Sequence, residues 1–188
     1  MKIGIYVGSF NPVHKGHIKI VNHLIDKKYL DKIIVIPTKN YWDKNNLINL
    51  EHRIKMLEIF KTDNIIIDKE LNQIEYTYQI MDILNKKYPN DELHLIIGAD
   101  NIVDFDKWKN YQELLSYNLI IVNRDNIDIE YHLDKLNKKE NFKIINDLEV
   151  IDISSTLIRG NLFNKYDINE LIDERVYKYI IDNNLYRE

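Results

Sequence analysis

The sequence predicts an α/β fold, a doubly wound parallel sheet with a small C-terminal helical subdomain. Three observations predict it. Continuously apolar runs of three to six residues recur along the chain, as strands buried on both faces require. Longer segments between them carry apolar residues at three- and four-residue spacing, the pattern of a helix with one face on a sheet. Glycine occurs only five times, and Gly8 and Gly98 end apolar runs while Gly16 opens a helical segment. In open α/β sheets, ligands bind outside the carboxyl ends of the strands, so these glycines sit on the edge where a site belongs.

The elements follow in order. Residues 2–7 (KIGIYV) form a first strand, and residues 13–28 a helix through Ile18, Val21, Leu24 and Ile25. Residues 32–36 (KIIVI) form a second strand, closed by Pro37. Residues 50–60 align Ile54, Leu57 and Phe60 on one helical face. A third strand spans residues 65–67, and an amphipathic helix spans 76–88, stopped by Pro89. Strands at 93–97 and 119–122 come next, then a Lys/Asn-rich stretch, 134–146, expected as surface variation. A last strand is expected at 149–151, followed by helices at 155–162 and 168–183. The chain is expected as one unit over 1–188, a core of about 1–153 with a helical subdomain of about 154–188.

Composition excludes several function classes. The 188 residues hold no cysteine, which removes disulfides, thiolate catalysis and cysteine-ligated metal. A net charge of −4 gives no general basic surplus, so a nucleic-acid partner is not expected. There is no signal-peptide pattern and no apolar run of membrane-spanning length, so the expectation is a cytoplasmic protein without a membrane partner.

The segment linking the first strand to the first helix reads GSFNPVHKGH (residues 8–17). It matches neither the dinucleotide glycine fingerprint nor the phosphate loop ending in Gly-Lys-Ser/Thr. It nevertheless has the parts of a polyphosphate site: backbone N–H groups of Gly8, Ser9 and Phe10, then a helix N-terminus. His14 and His17, three residues apart, share one side of that helix start. Phosphate contact, a structural pair and metal ligation are all compatible with this spacing. Metal ligation would need a further protein ligand, and no glutamate lies between the histidines. Near the other end, ISSTLIRG (residues 153–160) reads as a capped helix. Ser154 or Ser155 supplies the cap, and Arg159 lies one turn on, able to reach an anion at the helix start.

GSFNPVHKGH resembles the H-x-G-H signature of the nucleotidyltransferase superfamily, and ISSTLIR is similar to that superfamily's I-S-S-T-x-I-R motif. The resemblance implies a Rossmann-like fold in which His14, His17 and Arg159 act on a nucleoside triphosphate. It further implies ATP contacts from Gly8, Ser9, Phe10, Gly16, Ser154, Ser155 and Thr156, with Gly98 and Asp100 of the G-A-D segment beside the ribose.

The middle of the chain, LHLIIGADNIVDFDKWKNYQELL (residues 93–115), resembles bacterial nicotinate-nucleotide adenylyltransferases. That resemblance implies a pyridine mononucleotide acceptor held by Trp108, Tyr76, Thr77 and Arg124 (within VNRDN), and the terminal NNLYRE fits the same pattern. A pyridinium over an indole face is chemically reasonable, worth roughly 0.5–2 kcal/mol. Asp100, read alone, could otherwise cap the next helix. After the second strand the family carries a P-P-H-K-like segment, whereas this chain has IPTKNYWDKNNL, so Lys39 or Lys44 must stand in. Arg53 fits the family's H-R segment, and Tyr41 and Trp42 are exposed aromatics that could cover a nucleotide or mark a contact between copies. The expected cofactor is Mg²⁺ carried with ATP, with no protein-built metal site. Alternative acceptors are nicotinamide mononucleotide and phosphopantetheine. Cytidylyl transfer and a nucleotide sensor without turnover are the other readings.

Overall fold

The computed structural model describes residues 1–38, 47–123, 127–149, 153–164 and 166–186. Among them the apolar runs become six strands: β1 (Lys2–Gly8), β2 (Lys32–Pro37), β3 (Ile65–Ile67), β4 (Glu92–Gly98), β5 (Asn118–Val122) and β6 (Phe142–Ile145). All pair in parallel in the order β3-β2-β1-β4-β5-β6. The chain therefore winds outward in both directions from β1 and β4, which is the Rossmann-like, doubly wound arrangement. The helices are α1 (Lys15–Asp26), α2 (Leu50–Glu58), α3 (Thr77–Lys87), α4 (Ala99–Val103), α5 (Tyr111–Leu114), α6 (Ile129–Lys135), α7 (Ser155–Phe163) and α8 (Glu174–Asp182).

Alternation along the strands divides the apolar residues between two faces. Ile33 and Val35 of β2 join Ile96 and Ile120 beneath α1, α2, α7 and α8, where Val21, Leu24, Leu57, Ile158 and Ile180 are buried. Ile34 and Ile36 point the other way, with Ile3, Ile5, Leu95 and Ile121, against Ile80 and Leu84 of α3, Ile102 of α4 and Leu133 of α6. The C-terminal helices thus share one core with α1. No helix among the described residues is long and apolar enough to cross a membrane.

Several expectations need correction. The sixth strand is Phe142–Ile145, inside the stretch expected as surface variation. Phe142 and Lys143 are exposed, so this edge strand carries only a weak apolar signal, and the lysine suits an unpaired edge. Of the strand expected at 149–151, Glu149 is not in a strand, and the other two residues lie outside the described set. Helix α6, Ile129–Lys135, was not expected; it lies just ahead of the 134–146 stretch and overlaps it at its last two residues. The last helix is confined to Glu174–Asp182, because Asp173 accepts the Arg175 N–H at 2.9 Å and starts it there. Ile168 and Ile172, which had suggested an earlier start, are buried from a turn. Pro37 is the last paired residue of β2 rather than a stop beyond it. At a strand end a missing N–H costs no interior ladder bond.

Glycine does not supply the tight conformations here. None of the described glycines has positive φ; Lys28, Asn137 and Asn184 take the left-handed positions after α1, α6 and α8. After α6, the Asn137 N–H bonds the Asp134 carbonyl at 2.9 Å and the Lys138 N–H bonds the Leu133 carbonyl at 2.8 Å. That pairing is a Schellman helix stop with asparagine in the glycine place.

Candidate active site

The β1–α1 loop leaves the sheet at the point where the strand order reverses. Phe10 turns it with a φ of 46° and buries its ring. Gly8 and Gly16 are needed for space. A Cβ on Gly8 would sit 3.1 Å from the Phe10 ring, and one on Gly16 would sit 3.0 Å from His14 Nδ1. The two histidines cap α1 reciprocally: His14 Nδ1 accepts the His17 N–H at 3.4 Å, and His17 Nδ1 accepts the His14 N–H at 3.3 Å. Their rings stack with centroids 3.7 Å apart. His17 also packs edge-on against Phe10, centroids 5.0 Å apart. With both Nδ1 atoms accepting, each neutral ring carries its proton on Nε2.

The second motif docks onto this loop. Ser154 caps α7 by accepting the Leu157 N–H at 3.1 Å. The Ser155 hydroxyl donates to the Pro12 carbonyl at 2.9 Å. Arg159 donates through Nη1 to the Asn11 carbonyl at 2.9 Å and through Nη2 to the Thr156 hydroxyl at 3.2 Å. The positive N-terminal end of α7 and an arginine are therefore carried to the histidine loop from residues more than a hundred positions away.

Arg53 of α2 holds the same loop from beneath and is 1% exposed. It donates to the carbonyls of Ser9 at 2.7 Å, Thr38 at 2.8 Å and Ile48 at 3.3 Å. Burial pulls its guanidinium below the ordinary arginine range. The cation thus ties the loop to the end of β2 and the approach to α2.

Above these supports lies a cleft of about 300 Å³ at the carboxyl ends of β1, β4 and β5. It brings together Gly8, Ser9, Phe10, His14, Gly16, His17, Gly98, Asp100 and Trp108 of the expected residues. Asp100 lies in the first turn of α4, whose N-cap is Gly98, so it does not occupy the cap position. Trp108 is half-buried and stacks on Phe105, centroids 5.1 Å apart. Lys19 and Glu149, which sequence reasoning did not select, also line the cleft and approach each other to 3.5 Å. Their separation by 130 positions in a chain rich in Lys and Glu left no local signal.

Ser154, Ser155, Thr156 and Arg159 lie outside the cleft wall; Ser155 and Arg159 bind the loop that lines it. Tyr76 and Thr77 are also outside it, at the start of α3, where Gln79 Oε1 accepts the Tyr76 N–H at 3.3 Å. Lys39, Lys44, Tyr41, Trp42 and Arg124 lie outside the described residues. Among the described residues, no three His, Asp or Glu side chains converge as a metal site. What the cleft can do chemically is hold a polyanion against imidazole N–H donors and a helix terminus, beside an acidic side chain and an indole.

Comparison with known proteins agrees with this arrangement. Residues 5–161 match the cytidylyltransferase-like family. A protein of Fusobacterium nucleatum named probable nicotinate-nucleotide adenylyltransferase is 40% identical over 192 residues, covering 96% of this chain and 97% of its own. A Flavobacterium psychrophilum protein of the same name is 35% identical over 199 residues, with both chains fully covered. The structure of Plasmodium falciparum nicotinic acid mononucleotide adenylyltransferase complexed with NaAD superposes with a TM-score of 0.85 at 26% identity, covering 98% of this chain and 97% of that one. The chain belongs to the cytidylyltransferase-like family and, within it, to the nicotinate-nucleotide adenylyltransferases.

Proposed function

We infer that this chain transfers AMP from ATP to nicotinate mononucleotide, giving the deamido form of NAD and pyrophosphate, and that its two end motifs carry the reaction. A 5′-phosphate oxygen of the mononucleotide attacks the α-phosphorus of ATP in line. The new O–P bond forms as the bond from the α-phosphorus to the bridging oxygen breaks, and that electron pair leaves with pyrophosphate. No covalent enzyme intermediate is needed, because positioning and charge stabilisation carry transfers of this type.

His14 and His17 donate Nε2–H groups to the triphosphate, where charge accumulates as the bond breaks. The start of α7 and Arg159 stabilise the β- and γ-phosphates, with Lys39 or Lys44 in support. Asp100 accepts from the ribose hydroxyls. Trp108 takes the pyridine ring, and Tyr76, Thr77 and Arg124 line the mononucleotide side. Mg²⁺ enters with ATP and neutralises phosphate charge; a metal held by phosphate oxygens and water requires no protein cage.

The observation that supports this reading best is the histidine pair, which lines the cleft and caps α1 mutually through Nδ1. Replacing His17 by Ala removes one donor and one cap. The expected result is a fall in kcat of about 10²–10³-fold in a variant that still folds, because lost charge stabilisation outweighs a lost cap of ~1 kcal/mol. Steady-state kinetics beside a melting curve measures both. A kcat near that of the parent protein would remove His17 from the mechanism.

A further inference from the structure

The last described residues, after α8, fold back against the β1–α1 loop. Helix α8 closes with a Schellman stop: the Asn184 N–H bonds the Ile181 carbonyl at 3.2 Å, and the Leu185 N–H bonds the Ile180 carbonyl at 3.0 Å. Asn184 and Tyr186 both take left-handed φ, 53° and 59°. That conformation is unfavourable for a bulky residue and persists only where surrounding contacts hold it. Here it packs a partly buried Tyr186 against the core cluster that includes residues of α2 and α7.

The Tyr186 hydroxyl donates to Asn11 Oδ1 at 2.8 Å, across 175 positions of sequence. Asn11 is 3% exposed and joins several elements. Its Oδ1 also accepts the Ile48 N–H at 3.4 Å, and its main-chain carbonyl accepts Arg159 at 2.9 Å. Burial pushes the Tyr186 hydroxyl well above the ordinary tyrosine range, with Arg159 and Arg53 acting in the opposite direction. A buried hydroxyl of that kind stays protonated and needs an acceptor.

We propose that Tyr186 is a positioning residue for adenylyl transfer: through Asn11 it sets the β1–α1 loop on which His14 and His17 stand and to which Arg159 docks. It need not touch substrate. Its effect passes through the loop, where a displacement of about 1 Å is enough to lower a rate strongly. The proposal rests on the adenylyl-transfer reading above.

Tyr186→Phe removes one oxygen and keeps the ring, so the variant retains its packing. The expected result is a kcat lowered about tenfold, with KM for the mononucleotide changed by no more than about twofold and a melting temperature within a few degrees of the parent. Asn11→Ala should lower kcat at least as far, and the double variant no further than Asn11→Ala alone, because the hydroxyl acts through that side chain. Hydrogen exchange gives a readout independent of turnover: the amides of the Gly8–His17 segment should exchange faster in Tyr186→Phe, while those of β4 and β5 do not change. A Tyr186→Phe enzyme with parental kcat, additive losses in the double variant, or unchanged loop exchange would each overturn the proposal. If the parent protein itself fails to turn over ATP with a pyridine mononucleotide, the reaction reading falls. Loop exchange then still decides whether Tyr186 sets the loop.

Discussion

At the scale of single residues, the proposed mechanism gives His14 and His17 two jobs with opposite ends of the same ring. Nδ1 closes the first turn of α1, and Nε2 is thereby kept as the donor. This explains a glycine between them, since a methyl group at Gly16 would meet the His14 ring at 3.0 Å. Gly16→Ala should therefore displace His14 and weaken the cap, lowering both stability and kcat even though alanine is the better helix former by about 1 kcal/mol. A thermal melt and kinetics check it; a variant more stable than the parent at full activity would contradict the crowding. The spacing of the histidines and their place at the start of α1 were legible in the sequence. Their capping was not, because imidazole is not among the usual cap side chains and nothing local distinguishes the two roles. Arg53 was visible as a motif residue, but its three carbonyl partners come from distant loops that only folding assembles.

At the scale of elements, the buried strands were the most legible part, because continuous apolar runs of isoleucine and leucine admit few other readings. β6 escaped because an edge strand is half exposed, and α6 because its seven residues lie in polar surroundings. The abundant asparagines that looked like surface filler include helix stops. Asn137→Ala should cost about 1 kcal/mol in denaturant unfolding, and Asn137→Gly should be neutral or stabilising, since only the left-handed φ of 55° is at issue. Equal stability of the two variants would remove that role. The short helical segment ending at Trp108 sets the other side of the cleft, where Phe105 fixes one contact of the indole. Trp108→Ala should raise KM for nicotinate mononucleotide with little change in KM for ATP. A rise confined to ATP would move the pyridine ring elsewhere.

At the scale of the whole molecule, the sheet order is what makes one site from distant sequence. β1 and β4 lie side by side at the reversal of strand order, so the Gly8 and Gly98 ends open onto one cleft. The doubly wound topology then returns the chain to the same edge, where α7 docks its serine and arginine on the first loop. The two end motifs could be read separately in sequence. Their direct bonds could not, because main-chain carbonyls carry no residue-type signal, and neither could the Tyr186–Asn11 bond, whose partners lie 175 positions apart.

The proposed reaction of this cleft is adenylyl transfer to a pyridine mononucleotide. The most direct test is pyrophosphate release from ATP and Mg²⁺, with nicotinate mononucleotide, nicotinamide mononucleotide and phosphopantetheine offered in parallel. Rapid release is expected with nicotinate mononucleotide, slower release with its amide and none above background with phosphopantetheine. Release with phosphopantetheine alone, or silence with both pyridine nucleotides from protein that still binds ATP, would contradict it.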